Sequence, residues 1–281
     1  MRRQLRSLAI ATALAVAALA LLAGCGGGGG GKDLTEGLSA QEVLTRSAAE
    51  AAKVETFRID LDLTGNIGLR SPSAIPGGSL LAGPLDISGE GPVELPDKAS
   101  LDVTIKLSGL PVQANVTRVG DDVYLSALGQ DFKVAVPAST VRLLSFGDLY
   151  PTLVDWTTDP SIAGREDLDG TPVVKVNGAV DPEKAFADLG PLLSAGDVGP
   201  AKARAALKRG TVEFWIGTED LLPRRIHLVL RADASLLAEG LGLIDIDLSA
   251  DLSDYDEPVD ITAPANARPL DPGSLGSLFG G

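Results

Sequence analysis

One pattern governs what this chain can fold into: hydrophobicity alternates with period two, again and again, over most of its length. Phe57, Ile59, Leu61 and Leu63 alternate with Arg58, Asp60, Asp62 and Thr64. Leu101, Val103, Ile105 and Leu107 alternate with Asp102, Thr104, Lys106 and Ser108. Ile226, Leu228 and Leu230 alternate with His227, Val229 and Arg231, and Ile244, Ile246, Leu248, Ala250 and Leu252 with Asp245, Asp247, Ser249 and Asp251. Successive strand side chains point to opposite faces, so each segment is a strand with one apolar and one wet face, as in antiparallel sheet. Weaker strands are predicted at 85–94, 112–119, 122–128, 131–136, 172–180 and 211–217, with Gly120-Asp121 and Gly129-Gln130 as hairpin turns.

About ten strands sharing one apolar face make a sheet that must curl or close. That face then packs against helices or surrounds a cavity. Only 4% of the 281 residues are aromatic, so few bulky side chains exist to fill a wide half-barrel, which points to interior space for something apolar.

Helical periodicity is confined to three regions. Residues 38–54 read as a helix with Ser39 as N-cap and Glu42 completing a capping box. Residues 138–156 carry Val141, Leu144, Leu149, Leu153 and Trp156, with Pro151 as the expected break. Residues 182–208 begin at Pro182 and end in the strong helix former AKARAALK. The segment 70–84 reads as a long loop exposing Ile75, Leu80 and Leu81, and the tail from Pro264 as poorly ordered.

The amino terminus has a different logic. Arg2, Arg3 and Arg6 precede a near-continuous apolar run from Leu8 to Leu22, then Ala23-Gly24-Cys25. This run is short of the ~20 residues a spanning helix needs, and the arrangement is that of a secretory signal. A cysteine directly after Ala-Gly resembles a bacterial lipobox. The resemblance implies cleavage between Gly24 and Cys25, diacylglyceryl transfer to the Cys25 thiol, and a palmitate-type acylation of the new amine. Gly26–Gly31 with Lys32 nearly spells a phosphate-binding loop, but Asp33 stands where Ser or Thr is required and no strand precedes it. The run is read as a tether of roughly 14 Å r.m.s. span.

Charge excludes some functions. The chain has 24 basic and 38 acidic residues, a net of −14, which argues against a nucleic-acid partner. Removing the signal leaves a body of −17, so attachment to an anionic membrane is expected from acyl chains and not from a basic patch. One Cys and one His leave no disulfide framework, no zinc cluster and little scope for His-based catalysis. There is no G-x-S-x-G elbow. His227 and the Asp60/Asp62 and Asp245/Asp247 pairs read as a solvated face. The acidic cluster Asp251, Asp254, Asp256 and Glu257 lacks calcium-loop spacing. No catalytic residue, metal ligand or cofactor is predicted, and the chain is read as a non-enzyme.

Three local patterns resemble the LppX/LprG-type lipoproteins of actinobacteria, whose fold is shared with LolA-type carriers. They are Val212-Glu213-Phe214-Trp215-Ile216-Gly217 followed by Leu222-Pro223-Arg224-Arg225-Ile226; Leu252-Ser253-Asp254-Tyr255-Asp256-Glu257-Pro258-Val259-Asp260-Ile261 followed by Pro264; and Gly170-Thr171-Pro172-Val173-Val174-Lys175-Val176 before Asp181-Pro182. Asp256 departs from the pattern, which has Gly there. The resemblance implies an α+β fold: a curved, half-open antiparallel β-barrel with helices covering the open face and enclosing an apolar cavity. It also implies four stretches: signal peptide 1–24, lipidated Cys and tether 25–37, lipid-binding domain 38–264 and tail 265–281.

The function implied is that of a membrane-anchored lipoprotein on the extracytoplasmic face of the cell membrane. It binds acylated lipid, a glycolipid or phospholipid, and carries or presents it in the envelope, with export machinery or a transporter as unnamed partner. The alternative is a non-enzymatic envelope interaction or sensor module with a filled core. Leu61, Leu101, Val103, Phe132, Phe146, Leu149, Leu153 and Trp156 are the cavity candidates, each equally readable as plain core.

Overall fold

The computed structural model describes residues 32–69, 83–107, 110–135, 146–189, 199–237 and 241–270. The chain divides into Met1–Asp33 and Leu34–Gly281, and the fold described is that of the second unit.

Twelve strands form one sheet: β1 (Thr56–Leu69), β2 (Gly83–Glu94), β3 (Lys98–Leu107), β4 (Leu110–Val119), β5 (Asp122–Ala127), β6 (Gln130–Val134), β7 (Thr157–Leu168), β8 (Thr171–Val180), β9 (Leu207–Gly217), β10 (Pro223–Asp233), β11 (Leu241–Ser253) and β12 (Arg268–Leu270). Their order is β12-β6-β5-β4-β3-β2-β1-β11-β10-β9-β8-β7. All neighbours are antiparallel except β12, which runs parallel to β6. With four described helices, α1 (Ala40–Ala51), α2 (Phe146–Trp156), α3 (Pro182–Leu189) and α4 (Pro200–Ala206), this is the expected α+β curved half-barrel.

The four strongly alternating segments all lie in strands, and adjacent registers align their apolar residues on one face: Leu63 opposite Leu248, Leu61 opposite Ala250, Leu228 opposite Leu248. The six weaker predictions correspond to β2, β4, β5, β6, β8 and β9. Two strands escaped the sequence reading. β7 is an edge strand, exposed from Ser161 to Asp167. It is interrupted by Pro160, by left-handed Asp159 (φ 49°) and by two register shifts, so it carries no alternation. β12 pairs Arg268 with Phe132, within what the sequence suggested was tail.

Helix α1 starts where the capping box says. The Glu42 amide donates to Ser39 Oγ at 3.3 Å, and the Ser39 amide donates to Glu42 Oε2 at 2.8 Å. These two bonds satisfy amides that the helix itself leaves without partners. Pro151 does not break its helix; α2 continues through it to Trp156. The proline forfeits one backbone bond, while Tyr150, Leu153 and Trp156 around it are all buried and hold the helix in place. The helical region expected at 182–208 holds two short described helices, α3 and α4, with residues 190–198 outside the described residues. Leu207 and Lys208, good helix formers, already belong to β9, whose partner strand at that level is the apolar-faced β10. No described helix is long and apolar enough to cross a membrane.

The amino end of this unit is pinned. The Leu34 amide donates to the Thr218 carbonyl at 2.7 Å, and Thr35, fully buried, accepts from Arg165 Nη2 at 3.1 Å.

Candidate functional site

The apolar face of the sheet has two unlike halves. Over β8 to β11 it is filled. Val43 and Leu44 of α1, Tyr150, Leu153 and Trp156 of α2 and Ala185 of α3 pack on Val174, Val176, Val212, Phe214, Ile216, Ile226, Leu228 and Leu230. Tyr150 meets Phe214 edge-on with centroids 5.8 Å apart, and Trp156 Nε1 donates to Asp188 Oδ2 at 2.8 Å.

Over β1 to β6 the same face is different. A second cluster, Phe57, Ile59, Val93, Ala99 and Ala250 with Val54, contains no residue of a described helix. Beyond it lie rows of aliphatic side chains aligned across strands. Leu63 is opposite Ile87, Ile87 opposite Ile105, and Ile105 opposite Val112. Leu61, Gly89, Val103 and Ala114 form the next row, and Leu101, Val116, Leu125 and Phe132 the next. Phe132 is buried; the other side chains in these rows are only half-buried. Gly89 lacks a Cβ, so the second row dips: a Cβ there would sit 3.5 Å from Val103. The result is a shallow aliphatic trough.

The opposite face of β1 to β6 is polar and holds a hollow of about 680 Å³. Asp60, Glu90, Asp102, Asn115, Ser126 and Asp131 form one register row across six strands and all line it. Asn115 Nδ2 donates to Asp102 Oδ1 at 3.1 Å, and Ser126 Oγ to Asp131 Oδ1 at 2.6 Å. Burial pushes the Asp60 carboxyl up, reinforced by Asp62, Glu90 and Asp251. Such a lining does not suit a hydrocarbon chain, because polar groups would lose water without gaining partners. The apolar space that the sequence suggested is therefore not this hollow; the aliphatic trough lies on the other face.

The eight candidate residues separate accordingly. Leu61, Leu101, Val103 and Phe132 lie in the trough rows, and only Val103 also borders the polar hollow. Leu153 and Trp156 sit in the filled core, with Leu149 packed against it. Phe146 opens α2. Gly24 and Cys25 lie outside the described residues, as do Ile75, Leu80, Leu81, Val141 and Leu144. Leu63, Ile87, Ile105 and Val112 were missed as site residues. Their alternation is visible in the sequence, but their alignment into a half-buried row depends on cross-strand register.

Over β8 to β11 several charged groups on the wet face are paired. His227 lies opposite Glu213 and diagonal to Asp247, its Nδ1 3.3 Å from Glu213 Oε2 and its Nε2 2.9 Å from Asp247 Oδ1. Burial pushes the Glu213 carboxyl up, but hydrogen bonds from Lys175 and His227 outweigh it and hold the group below the ordinary glutamate value. Lys175 also lies 4.3 Å from the centroid of the Trp215 ring, whose Nε1 donates to Glu166. Of the acidic cluster, Asp251 binds Arg225 and Asp256 accepts from the Glu55 amide at 2.8 Å. Among the described residues no group of three or more His, Cys, Asp or Glu is placed to hold a metal ion.

No family model and no curated protein matches this chain. Solved structures do. LprF from Mycobacterium bovis is 16% identical with a TM-score of 0.46, over 81% of this chain and 97% of that one. The Mycobacterium tuberculosis lipoprotein LppX is 14% identical with a TM-score of 0.47, over 79% and 98%. A LolA superfamily protein from Nitrosomonas europaea is 9% identical with a TM-score of 0.28, over 80% and 96%. LppX gives its name to the lipoprotein type that the sequence motifs resemble. At these scores no function passes from them to this chain.

Proposed function

We propose that this protein is a lipoprotein, anchored through Cys25 on the extracytoplasmic face of the cell membrane, that binds acylated lipid along the aliphatic trough of β1 to β5. The observation that carries the reading is the row Leu63–Ile87–Ile105–Val112: four aliphatic side chains in register, each half-buried. Covering such surface is favourable by roughly 25 cal/mol per Å² of apolar area. A hydrocarbon chain laid across it supplies that cover without needing any polar partner.

The energetics suit carriage. A C16 chain loses ~13 kcal/mol on entering water at ~0.8 kcal/mol per CH₂. A trough that restores much of this burial makes withdrawal from the bilayer nearly neutral, so the next acceptor sets the direction. The filled half under α1 and α2 is the rigid support and favours, taken alone, an interaction module. The half-buried rows are what that alternative leaves unexplained.

The test is lipid extraction. Delipidated protein mixed with vesicles containing a fluorescent phospholipid should withdraw label into the soluble fraction, and Ile105→Asp should withdraw far less. If the wild-type chain extracts no label while its thermal unfolding is intact, the reading is wrong.

A further inference from the structure

The trough is open at one end of its strands and closed at the other. On the apolar face, β2 passes from half-buried Leu85 and Ile87 to buried Gly89, Gly91 and Val93. The strands beside it change in the same sense: β1 from half-buried Leu63 and Leu61 to buried Ile59 and Phe57, and β3 from half-buried Ile105 and Val103 to buried Ala99. Register sets the three gradients side by side, with Leu63, Ile87 and Ile105 opposite one another at the open end and Phe57, Val93 and Ala99 at the closed one. Among the described residues, no buried cluster takes in Leu85, Ile87 or Ile105.

The closed end is built from chain that returns from elsewhere. Val54, Leu95, Leu222 and Tyr255 pack around Phe57 and Val93, with the Tyr255 ring centroid 6.2 Å from that of Phe57. Backbone bonds fix them: the Leu95 amide donates to the Glu55 carbonyl and the Asp256 amide to the Thr56 carbonyl, both at 2.8 Å. The Tyr255 hydroxyl already donates to the Pro223 carbonyl. Leu222 belongs to the β9–β10 turn, in which the Thr218 carbonyl accepts from the Leu34 amide. The closed end of the trough is therefore also the end that holds Leu34. From Leu85 to Gly91 the strand runs six residues, ~20 Å at ~3.4 Å each. That exceeds the hydrocarbon depth of one bilayer leaflet, ~15 Å as half of a ~30 Å core.

We infer that the bound lipid lies along the strands, with its terminal methyl toward the Phe57–Val93 wall and its headgroup at the Leu85–Ile105 end. The reverse placement would bury a polar headgroup among Phe57, Val93 and Leu95, where it loses water without gaining partners. A methyl end needs no partner there, and the half-buried side chains from Leu61 to Leu85 cover the rest of the chain. This orientation rests on the reading of a lipid carrier and adds which way round the cargo sits. Lipid then enters and leaves by the end remote from Leu34, and the closed wall limits the length of chain that can be covered.

The experiment uses the delipidated mature lipoprotein and two photoreactive probes: phosphatidylcholine with a diazirine at the end of a hexadecanoyl chain, and the same lipid with the diazirine on its headgroup. After irradiation, peptide mass spectrometry should place chain-end adducts at Ile59 to Leu61 and at Leu101, and headgroup adducts at Leu85 to Ile87 and at Ile105. Val103→Trp fills the trough between these levels. It should lower extraction of the hexadecanoyl lipid about tenfold relative to a decanoyl one, the equivalent of roughly two uncovered CH₂ groups, with the melting temperature as the control for folding. Should that variant fail to fold, the adducts on the wild-type chain decide alone. A reversed adduct pattern, the same pattern from both probes, or an unchanged length preference in folded Val103→Trp overturns the orientation, while extraction by the wild-type chain leaves the carrier reading standing. A wild-type chain that extracts neither lipid and forms no adducts contradicts the carrier reading, and the orientation with it.

Discussion

Ser47 and Tyr150, 103 positions apart in the chain, share a buried hydrogen bond of 2.6 Å that ties α1 to α2 over the filled half of the sheet. Ser47 is fully buried and Tyr150 nearly so. Burial pushes the Tyr150 phenol well above the ordinary tyrosine value, so it is the neutral donor or acceptor at neutral pH. Tyr150→Phe leaves Ser47 Oγ without its partner in an apolar setting. The expected loss is about 1–3 kcal/mol, read from the shift in the urea midpoint. Adding Ser47→Ala should recover part of it, since removing both polar groups leaves nothing unsatisfied; a double variant as unstable as the sum of the singles contradicts the assignment.

The two halves of the apolar face should respond differently to truncation. Leu153 is 2% exposed in the filled core, and Leu153→Ala should cost about 2–5 kcal/mol. Ile105 is half-buried in the trough, and Ile105→Ala should cost less than half as much while reducing lipid extraction. Equal losses of stability at the two sites would show that the trough is ordinary core.

Asp60 and Glu42 should titrate with opposite sign. The folded Asp60 carboxyl is raised by burial and then by Asp62, so it holds its proton more tightly than the unfolded chain does. Its contribution to stability is present below the unfolded value and disappears as pH rises through the folded one. Asp60→Asn should therefore raise the melting temperature at pH 7 more than at pH 3. Glu42 is lowered, first by the Ser39 amide and then by the Ser39 hydroxyl, so its contribution is present at neutral pH and lost as pH falls through the folded value. Glu42→Gln should leave a flatter acid limb in the melting profile; a steeper one contradicts the assignment.

The capping box gives a local test. Ser39→Ala removes the acceptor for the Glu42 amide and should cost about 0.5–2 kcal/mol. Hydrogen exchange should report the loss mainly in the first turn of α1, with β3 to β6 unchanged.

Cys25 carries the proposed membrane address. Cys25→Ser should leave the chain unprocessed and move no lipid label onto it during metabolic labelling with palmitate. Persistent labelling of that variant would place the acyl group elsewhere.

How much of this could be read from the sequence follows from what each signal encodes. Period-two alternation fixes which residues share a face, and Leu61, Val103, Leu228 and Ile246 all fell on the face expected. The Ser39–Glu42 spacing is local and fixed the start of α1. Alternation cannot say which part of an apolar face is covered, because cover comes from helices distant in sequence. Hence the sequence alone ranks Leu153 and Trp156 with Leu61 and Leu101, although the first pair belongs to α2 and packs in the filled half while the second lies in the trough. β7 was invisible because an exposed edge with Pro160 has no buried face to pattern it. Asp256 stands where the resembling family has Gly; its φ of 57° explains the preference, and its bond to the Glu55 amide shows what the carboxylate adds.

Hydrocarbon is proposed to cover the rows Leu61–Ala114 and Leu63–Val112. Native mass spectrometry of protein purified gently from its own membrane tests it most directly. The expected spectrum holds a population carrying the mass of one acylated lipid, depleted in Ile105→Asp and unaffected by Ser39→Ala. A wild-type spectrum showing only the acyl-anchored chain, with no further lipid mass, would contradict it.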